Sequence, residues 1–258
     1  MDITLEQAIL GKATQIKGKE YFTTEQYIMP FIQRMAEYTD DFRIQAIPAG
    51  QISLTPSGEM NMEDMVYNRM WIQAVMPDAA GYDNHDRVIG MVYGLDTRKP
   101  VVKFYVGGLN RACTNLCIFS PSFLHIQELE PQIAINFKPI EYLLKQTDDV
   151  KATLERFANT EIPYDQQIIN ENLGQWIRNT MSKQFNNNFG KVKVATSTAI
   201  DAFKLLYEDK DSPYYVNPGN STDLFNVYNA FTQCVTDDKR DIINKAEKTL
   251  LISNIITV

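Results

Sequence analysis

Residues 84–119 hold two strand-like runs separated by a short turn, and this pair constrains the fold more than any other part of the sequence. The runs 88–95 and 101–106 are rich in β-branched and aromatic residues, and the turn between them, DTRKP, contains an Asp and a Pro. Such a pattern is typical of a β-hairpin. We expect the glycines that follow, Gly107 and Gly108, to end the second strand. Residues 109–119 fit either a strand or a short helix.

The residues before this hairpin predict further strands. Apolar and polar residues alternate at 42–47 and 52–54, and 65–76 is a run of β-forming and aromatic residues. Together with the hairpin they predict an antiparallel meander of about four to six strands. Ahead of it, apolar residues at helical spacing predict a short helix over 4–12 and a longer one over 24–36, which Pro30 should kink or delay.

The second half of the chain carries the helical pattern. Apolar spacing predicts helices over 139–158, 164–184, 196–207, 222–235 and 238–251. No internal repeat, flexible linker or change of composition divides the chain. We therefore predict one α+β domain over 1–258, with a β-rich part over about 40–120 and a helical part over about 121–258.

Composition excludes several classes of protein. The net charge of −7 and the pI near 5.0 argue against a protein whose whole surface binds nucleic acid or anionic lipid, although a local basic groove is compatible with them. The sequence has no apolar run long enough to cross a bilayer, and charges interrupt its first residues where a signal peptide needs an apolar run. The sequence thus predicts a cytoplasmic protein, in a bacterial host cell if a phage encodes it, with no membrane partner.

The three cysteines predict reduced thiols rather than disulfides, because their number is odd. Cys113 and Cys117 would share one face of a helix, but a metal site would need two more ligands, and only His85 and His125 could supply nitrogen. Buried thiols are the simpler interpretation. We therefore expect no metal and no cofactor.

Familiar catalytic motifs are missing from the sequence. It has no GxxxxGK[ST], GxGxxG or HExxH pattern, and VGGLNR lacks the lysine and the spacing of a phosphate-binding loop. His85 lies in a polar loop, where a hydrogen-bonded histidine is commoner than a general base. The sequence therefore favours a non-catalytic protein, and a site around His85, Asp86 and Cys113 is the remaining enzyme hypothesis.

Local charge points to nucleic acid. Residues 85–112 contain five basic and two acidic side chains, and residues 178–193 contain four basic and no acidic ones. In the strand VVKFYV, Lys103 and Tyr105 share a face, and a cation beside a ring on an open sheet suits single-stranded nucleic acid. The alternative is a solvated Lys103 and a half-buried Tyr105. The candidate contact residues are Arg87, Arg98, Lys99, Lys103, Tyr105, Arg111, Lys191 and Lys193.

The order of three segments resembles a known family. His85 and Asp86 precede the predicted hairpin, 111–116 (RACTNL) follows it, and 224–232 (LFNVYNAFT) lies in a predicted helix near the end of the chain. This order is similar to that of the phage and plasmid proteins known as domain of unknown function 932, in which an HDG-like motif, an RVVCxNTL-like segment and an NAVT-like motif follow one another. Arg87 stands here in place of the glycine. The resemblance covers 84–258.

The resemblance implies a phage or mobile-element origin and a pairing of the cysteine segment with the C-terminal helix. Its motif residues in this chain are His85, Asp86, Cys113, Asn115, Asn229 and Thr232. Because buried polar side chains need partners, we expect Asn115, Asn229 and Thr232 to fix the helical half to the sheet.

Two functional hypotheses follow. In the first, the chain is a phage-type homo-oligomer that binds single-stranded DNA through a local basic groove during replication or recombination. The order of helix, meander and helical part is similar to that of phage single-strand annealing proteins, which form rings on DNA. In the second, the chain is an acidic interaction protein that occupies a host protein or assembles as a structural component.

Overall fold

The computed structural model describes residues 1–10, 14–16, 19–49, 56–57, 66–76, 85–96, 99–110, 116–131, 133–236 and 242–257. Within them a curled antiparallel sheet precedes a mainly helical C-terminal half, so the α+β prediction is confirmed. The strands are β1 (Asp2–Ile3), β2 (Thr14–Ile16), β3 (Lys19–Tyr21), β4 (Asp41–Pro48), β5 (Tyr67–Met76), β6 (His85–Gly94), β7 (Val101–Asn110), β8 (Leu116–Cys117), β9 (Leu124–Glu128), β10 (Glu161–Ile162), β11 (Phe185–Asn187), β12 (Gly190–Val192) and β13 (Thr222–Asp223). The α-helices are α1 (Leu5–Ile9), α2 (Met29–Met35), α3 (Lys138–Leu144), α4 (Thr147–Ala158), α5 (Gln166–Ser182), α6 (Thr196–Tyr207), α7 (Leu224–Thr236) and α8 (Lys245–Ile256).

The main sheet is an antiparallel meander with the order β1-β4-β5-β6-β7. Beyond β7, the sheet edge is shared by β8, which pairs with its C-terminal end, and by β9, which pairs with its N-terminal end. The predicted hairpin is β6 and β7, paired from His85↔Asn110 to Gly94↔Val101. One end of this hairpin therefore carries the turn before Val101, and the other carries His85 and Asn110.

Strand β7 continues through Gly107 and Gly108, so the prediction that these glycines end it was wrong. Gly108 pairs with Cys117 of β8, and a Cβ atom on Gly107 would overlap the backbone carbonyl of Cys117. The glycine therefore permits a close approach of two strands rather than a turn. Of the segment left open between strand and helix, Leu116 and Cys117 form a strand.

The N-terminal helix changes its winding near the proline. Thr24–Ile28 is π-helical, and α2 begins at Met29, one residue before Pro30. Pro30 has no N–H to donate, and it lies where the π-helical turn passes directly into the α-helix. The buried side of α2 includes Phe31, whose ring lies 6.5 Å from that of Phe104 on β7.

The C-terminal helices differ from their prediction in two places. Residues 139–158 form two helices rather than one. The first ends at Leu144, and the amide of the next residue, Lys145, donates to the Tyr142 carbonyl at 3.1 Å in a tight final turn. The last helix begins at Lys245 and ends at Ile256, later than predicted. Helices α5, α6 and α7 lie close to their predicted bounds. The predicted strand at 52–54 lies outside the described residues.

Two apolar clusters fill the interior. One lies between the sheet and the helices α2 and α3, and the other lies among the C-terminal helices, where the rings of Trp176 and Phe231 are 5.2 Å apart. Phe119, Phe185 and Phe225 pack against both clusters and connect them. The prediction of a single domain over 1–258 is not tested by these contacts and stays a prediction.

Candidate nucleic-acid interface

The sheet face that carries Lys103 is covered rather than open. Lys103 is 3% exposed, and its ammonium donates to the Ile243 carbonyl at 2.8 Å and to Asn244 Oδ1 at 3.2 Å. It also forms an ion pair with Glu247, which is fully buried on α8. The prediction that Lys103 faces solvent was therefore wrong, because the start of α8 and the turn before it cover this part of the sheet.

Tyr105 is fully buried on the same face, so it is not the open stacking platform that we expected. Its hydroxyl accepts a hydrogen bond from Trp71 Nε1 across β6. The ring lies over Gly90, where a Cβ atom would overlap it. Burial raises the pKa of the Tyr105 hydroxyl, because the phenolate would lose its hydration.

A second buried lysine completes this arrangement. Lys245 is 2% exposed, donates to the Thr236 carbonyl at 2.7 Å, and holds its ammonium 5.2 Å from the centre of the Trp71 ring. That distance lies within the range of a cation–π interaction. We call the group formed by Lys103, Glu247, Lys245, Trp71 and Tyr105 the α8 seam. In this group, buried lysines and aromatic rings form the contacts between α8 and the main sheet.

Arg87 is also partly buried. It lies half-buried on β6, and its guanidinium donates to the Met76 sulfur at 3.5 Å. Burial lowers the pKa of Arg87, because the charged group is partly removed from water. Two other predicted contact residues, Arg98 and Arg111, lie outside the described residues.

The exposed candidate contact residues are Lys99, Lys191 and Lys193. Two of them, Lys99 and Lys191, lie close together near the N-terminal end of β7. Lys99 precedes β7, and Lys191 lies on β12, in the segment predicted only as a basic loop. Both side chains are exposed, and both line the same two adjoining cavities of about 570 and 210 Å³. Lys193 is exposed as well, two residues further along, while Val192 between them is buried.

A tight hairpin positions these groups. β11 and β12 pair antiparallel, with Asn186 opposite Lys191. The side-chain oxygen of Asn187 accepts from the amides of Phe189 at 2.7 Å and Gly190 at 2.8 Å, which closes the turn. An asparagine that caps its own turn in this way is common in tight loops. The Asn-rich composition that suggested a loop therefore produces a defined two-stranded hairpin.

An aromatic ring lies at the tip of this hairpin. Phe189 is half-buried, and the Lys99 ammonium lies 6.0 Å from the centre of its ring. We call the surface formed by Lys99, 186–189 and Lys191 the hairpin surface. It combines two exposed cations, one ring and three amide side chains.

The two regions meet in the smaller cavity. Its wall includes Lys99, Phe189 and Lys191, and its inner end reaches Lys103 and Glu247. Because the Lys103 charge is offset by Glu247 and its donors are directed to α8, the exposed positive charge at this cavity comes from Lys99 and Lys191.

The motif residues His85 and Asp86 lie at the opposite end of the β6–β7 hairpin. His85 and Asp86 are buried at the start of β6, and the His85 ring lies 5.0 Å from that of Phe225 on α7. Thr232 donates to the carbonyl of Asn229 within its own helix. Cys113 and Asn115 lie outside the described residues. Their neighbour Cys117 is buried in β8.

The link between α7 and the sheet includes Tyr228, which the sequence did not single out. Its hydroxyl lies 3.1 Å from the amide of Ile118, 3.2 Å from the Ile118 carbonyl and 3.2 Å from the Thr249 carbonyl. One buried group thus connects the sheet edge with both α7 and α8. Burial raises the pKa of this hydroxyl strongly.

Nowhere in the described ranges are three His, Cys, Asp or Glu side chains grouped so that they could hold a metal ion. Among the helices that the structure describes, none has the length and apolar character needed to span a membrane.

Comparisons of the chain with protein-family models, curated proteins and solved structures find no match. The resemblance to the phage and plasmid family over 84–258 therefore stays a prediction.

Proposed function

We propose that the chain binds single-stranded nucleic acid, without catalysis, through the hairpin surface. The observation that carries this proposal is the meeting of Lys99 and Lys191, far apart in the sequence, in one cavity beside the hairpin tip that bears Phe189. Cations beside a ring meet the two needs of single-strand binding, because the cations attract phosphates and the ring stacks on a base.

The phosphate contacts in this proposal come from Lys99, Lys191 and Lys193. All three side chains are exposed, and Lys191 and Lys193 extend from alternate positions of one chain segment. Arg98 is the sequence neighbour of Lys99 and adds a fourth cation to the proposed set. Lys103 and Tyr105 leave the set, because both are buried in the α8 seam.

Phe189 takes the stacking role that we had expected of Tyr105. A base that packs on the exposed part of the Phe189 ring would also lie near the Lys99 ammonium, 6.0 Å from the ring centre. The three asparagine amides around it can donate to phosphate or base oxygens. Such groups give little sequence preference, which suits a protein that acts in replication or recombination.

The overall charge of −7 shapes how this binding should behave. An acidic body repels a polyanion except at the basic surface, so contact is confined to a few phosphates. We expect weak binding by a single chain and stronger binding by a homo-oligomer that aligns several hairpin surfaces.

The test is fluorescence anisotropy with a labelled oligothymidine of about 16 nucleotides, titrated at salt concentrations from about 50 to 200 mM. The wild-type chain should bind at low salt, and its affinity should fall as salt rises. The double variant K99A/K191A should lose most of this binding. Lys210→Ala removes an exposed lysine outside the hairpin surface and serves as the matched control. Absence of wild-type binding at low salt, or equal binding by K99A/K191A and K210A, would sink the proposal.

A further inference from the structure

A polar cleft of about 680 Å³ opens where the His85 end of the sheet meets α7. Its volume is in the range of small-molecule sites. It is far from the hairpin surface along the sheet, since Asn110 and Lys99 flank opposite ends of β7. The described residues that line it are Asn110, Ala158, Asn159, Glu161, Pro213, Tyr214, Ser221, Thr222, Asp223, Phe225, Asn226 and Asn229.

Neutral hydrogen-bonding side chains outnumber apolar ones among the described residues that line this cleft. Four asparagines and three hydroxyl-bearing residues supply both donors and acceptors, and no lysine, arginine or histidine is among the described lining residues. Drug-like sites are mostly apolar with few polar groups. A wall of this composition instead suits a ligand that has many hydroxyl groups of its own.

The polar groups of the cleft are held in place before any ligand arrives. Asp223 accepts from the backbone amide of Asn226 at 2.7 Å and so caps α7. The Asn226 side-chain amide donates to the Tyr214 carbonyl at 2.9 Å and to Thr222 Oγ1 at 3.0 Å. Fixed side chains lose less conformational entropy when a ligand binds, which raises affinity.

Two carboxylates come from paired positions of neighbouring strands in the cleft wall. Glu161 of β10 is paired with Asp223 of β13 in the ladder register, and both line the cleft. Carboxylates accept hydrogen bonds from hydroxyl groups and repel anions. The electrostatic preference of the cleft is therefore opposite to that of the hairpin surface.

An aromatic ring supplies an apolar wall beside these polar groups. Phe225 lines the cleft, and its ring is held against the His85 imidazole at 5.0 Å. The face of such a ring packs well on a ring of C–H groups, which a sugar presents between its hydroxyls.

We propose that the polar cleft binds an uncharged polyhydroxylated ring, either a free sugar or the ribose of a nucleoside. Glu161 and Asp223 accept from the hydroxyls, the asparagine amides complete the hydrogen bonds, and Phe225 packs against the ring. The same carboxylates exclude phosphorylated forms of the ligand. This site is independent of the hairpin surface, so it does not depend on nucleic-acid binding there.

The test is isothermal titration calorimetry of the full chain with maltose and with adenosine, each compared with its phosphorylated form. We expect saturable binding of at least one neutral ligand at millimolar concentration, and binding about tenfold weaker for its phosphorylated form. Binding of maltose alone identifies a sugar site, and binding of adenosine alone identifies a nucleoside site. If neither neutral ligand binds, or the phosphorylated form binds equally well, the proposal is overturned.

Two variants separate recognition from folding. Glu161→Gln keeps a polar side chain but removes the charge, so the neutral ligand should bind about fivefold more weakly. The discrimination against its phosphorylated form should shrink toward unity. Phe225→Leu keeps apolar bulk, should leave the melting temperature within a few degrees of wild type, and should also weaken binding. Glu171→Gln changes an exposed glutamate on α5 outside the cleft and is the control. Equal discrimination by E161Q and E171Q would contradict the assigned role of Glu161.

Discussion

The α8 seam and the hairpin surface contain the same kinds of side chain, but in the seam these side chains are buried contacts between a helix and the sheet, and at the hairpin the lysines are exposed. Each contains lysines close to an aromatic ring, and the two regions meet at one small cavity. In the seam, Lys103 is paired with Glu247 and Lys245 lies over Trp71, with both lysines buried. At the hairpin surface, Lys99 and Lys191 are exposed beside Phe189. Burial and pairing, not residue type, decide which lysines can reach a polyanion.

Lys103→Met should give the largest effect and should act on stability alone. The change leaves Glu247 buried without its ion-pair partner Lys103, and breaking a buried pair costs about 3–5 kcal/mol. Urea unfolding followed by circular dichroism measures this loss. Lys191→Met, on the exposed side of the comparison, should stay within about 0.5 kcal/mol of wild type.

The double variant K103M/E247L sharpens this test. Because it removes both charges together, it should recover much of the stability that Lys103→Met loses. If K103M and K191M unfold at the same urea concentration, Lys103 is not held in the seam as described.

Gly90→Ala should give the next largest effect. Its Cβ atom would overlap the Tyr105 ring, which must then shift away from Trp71, at a cost of about 1–3 kcal/mol. Gly190→Ala is the matched change at the hairpin surface, where no atom lies within 4 Å of the added Cβ and the backbone has no positive φ. A thermal melt should separate the two variants. Equal melting temperatures would mean that Tyr105 does not lie over Gly90.

Sequence patterns predicted the strands of this comparison but not their surroundings. The alternation in VVKFYV correctly places Lys103 and Tyr105 on one face of β7. Whether that face is open depends on Ile243 and Glu247, which lie about 140 residues later in the chain. No local pattern reports such a contact. Several strand and helix bounds were predictable because they depend on nearby residues, whereas burial was not, because it depends on distant ones.

The candidate site shows the same limit. Composition identified the basic segment 178–193 and the basic turn near Lys99 as separate features. Their meeting depends on how the β11–β12 hairpin packs, which no pattern in either segment reports. A ring directly after three asparagines and beside lysines was a usable signal for Phe189, whereas the other ring of this segment, Phe185, packs against the core.

Phe189→Ala should affect binding and spare stability. Loss of a stacking ring costs about 1–3 kcal/mol of binding free energy, or about 5- to 150-fold in affinity for single-stranded DNA. The free energy of unfolding should change little, because the ring is only half-buried and belongs to neither apolar cluster. Fluorescence anisotropy measures the affinity and urea unfolding measures the stability, both on the same preparation of the variant. A variant that loses stability but keeps its affinity would place Phe189 with the seam instead.

Lys191→Ala should have the smallest effect, which is best seen in the salt dependence. Removal of one phosphate contact should lower the slope of log affinity against log salt concentration by about 0.7, the value for a single strand. Lys210→Ala should leave this slope unchanged. An unchanged slope for K191A would remove Lys191 from the contact surface.

Photo-crosslinking is the most direct test of where nucleic acid binds. An oligonucleotide that carries halogenated uracil is crosslinked to the full chain, and tryptic peptides are mapped by mass spectrometry. We predict a crosslink in the peptide 184–191, at Phe189, since halogenated uracil reacts preferentially with a stacked aromatic ring. Crosslinks confined to other peptides, with 184–191 recovered unmodified, would contradict the assignment of the hairpin surface as the binding site.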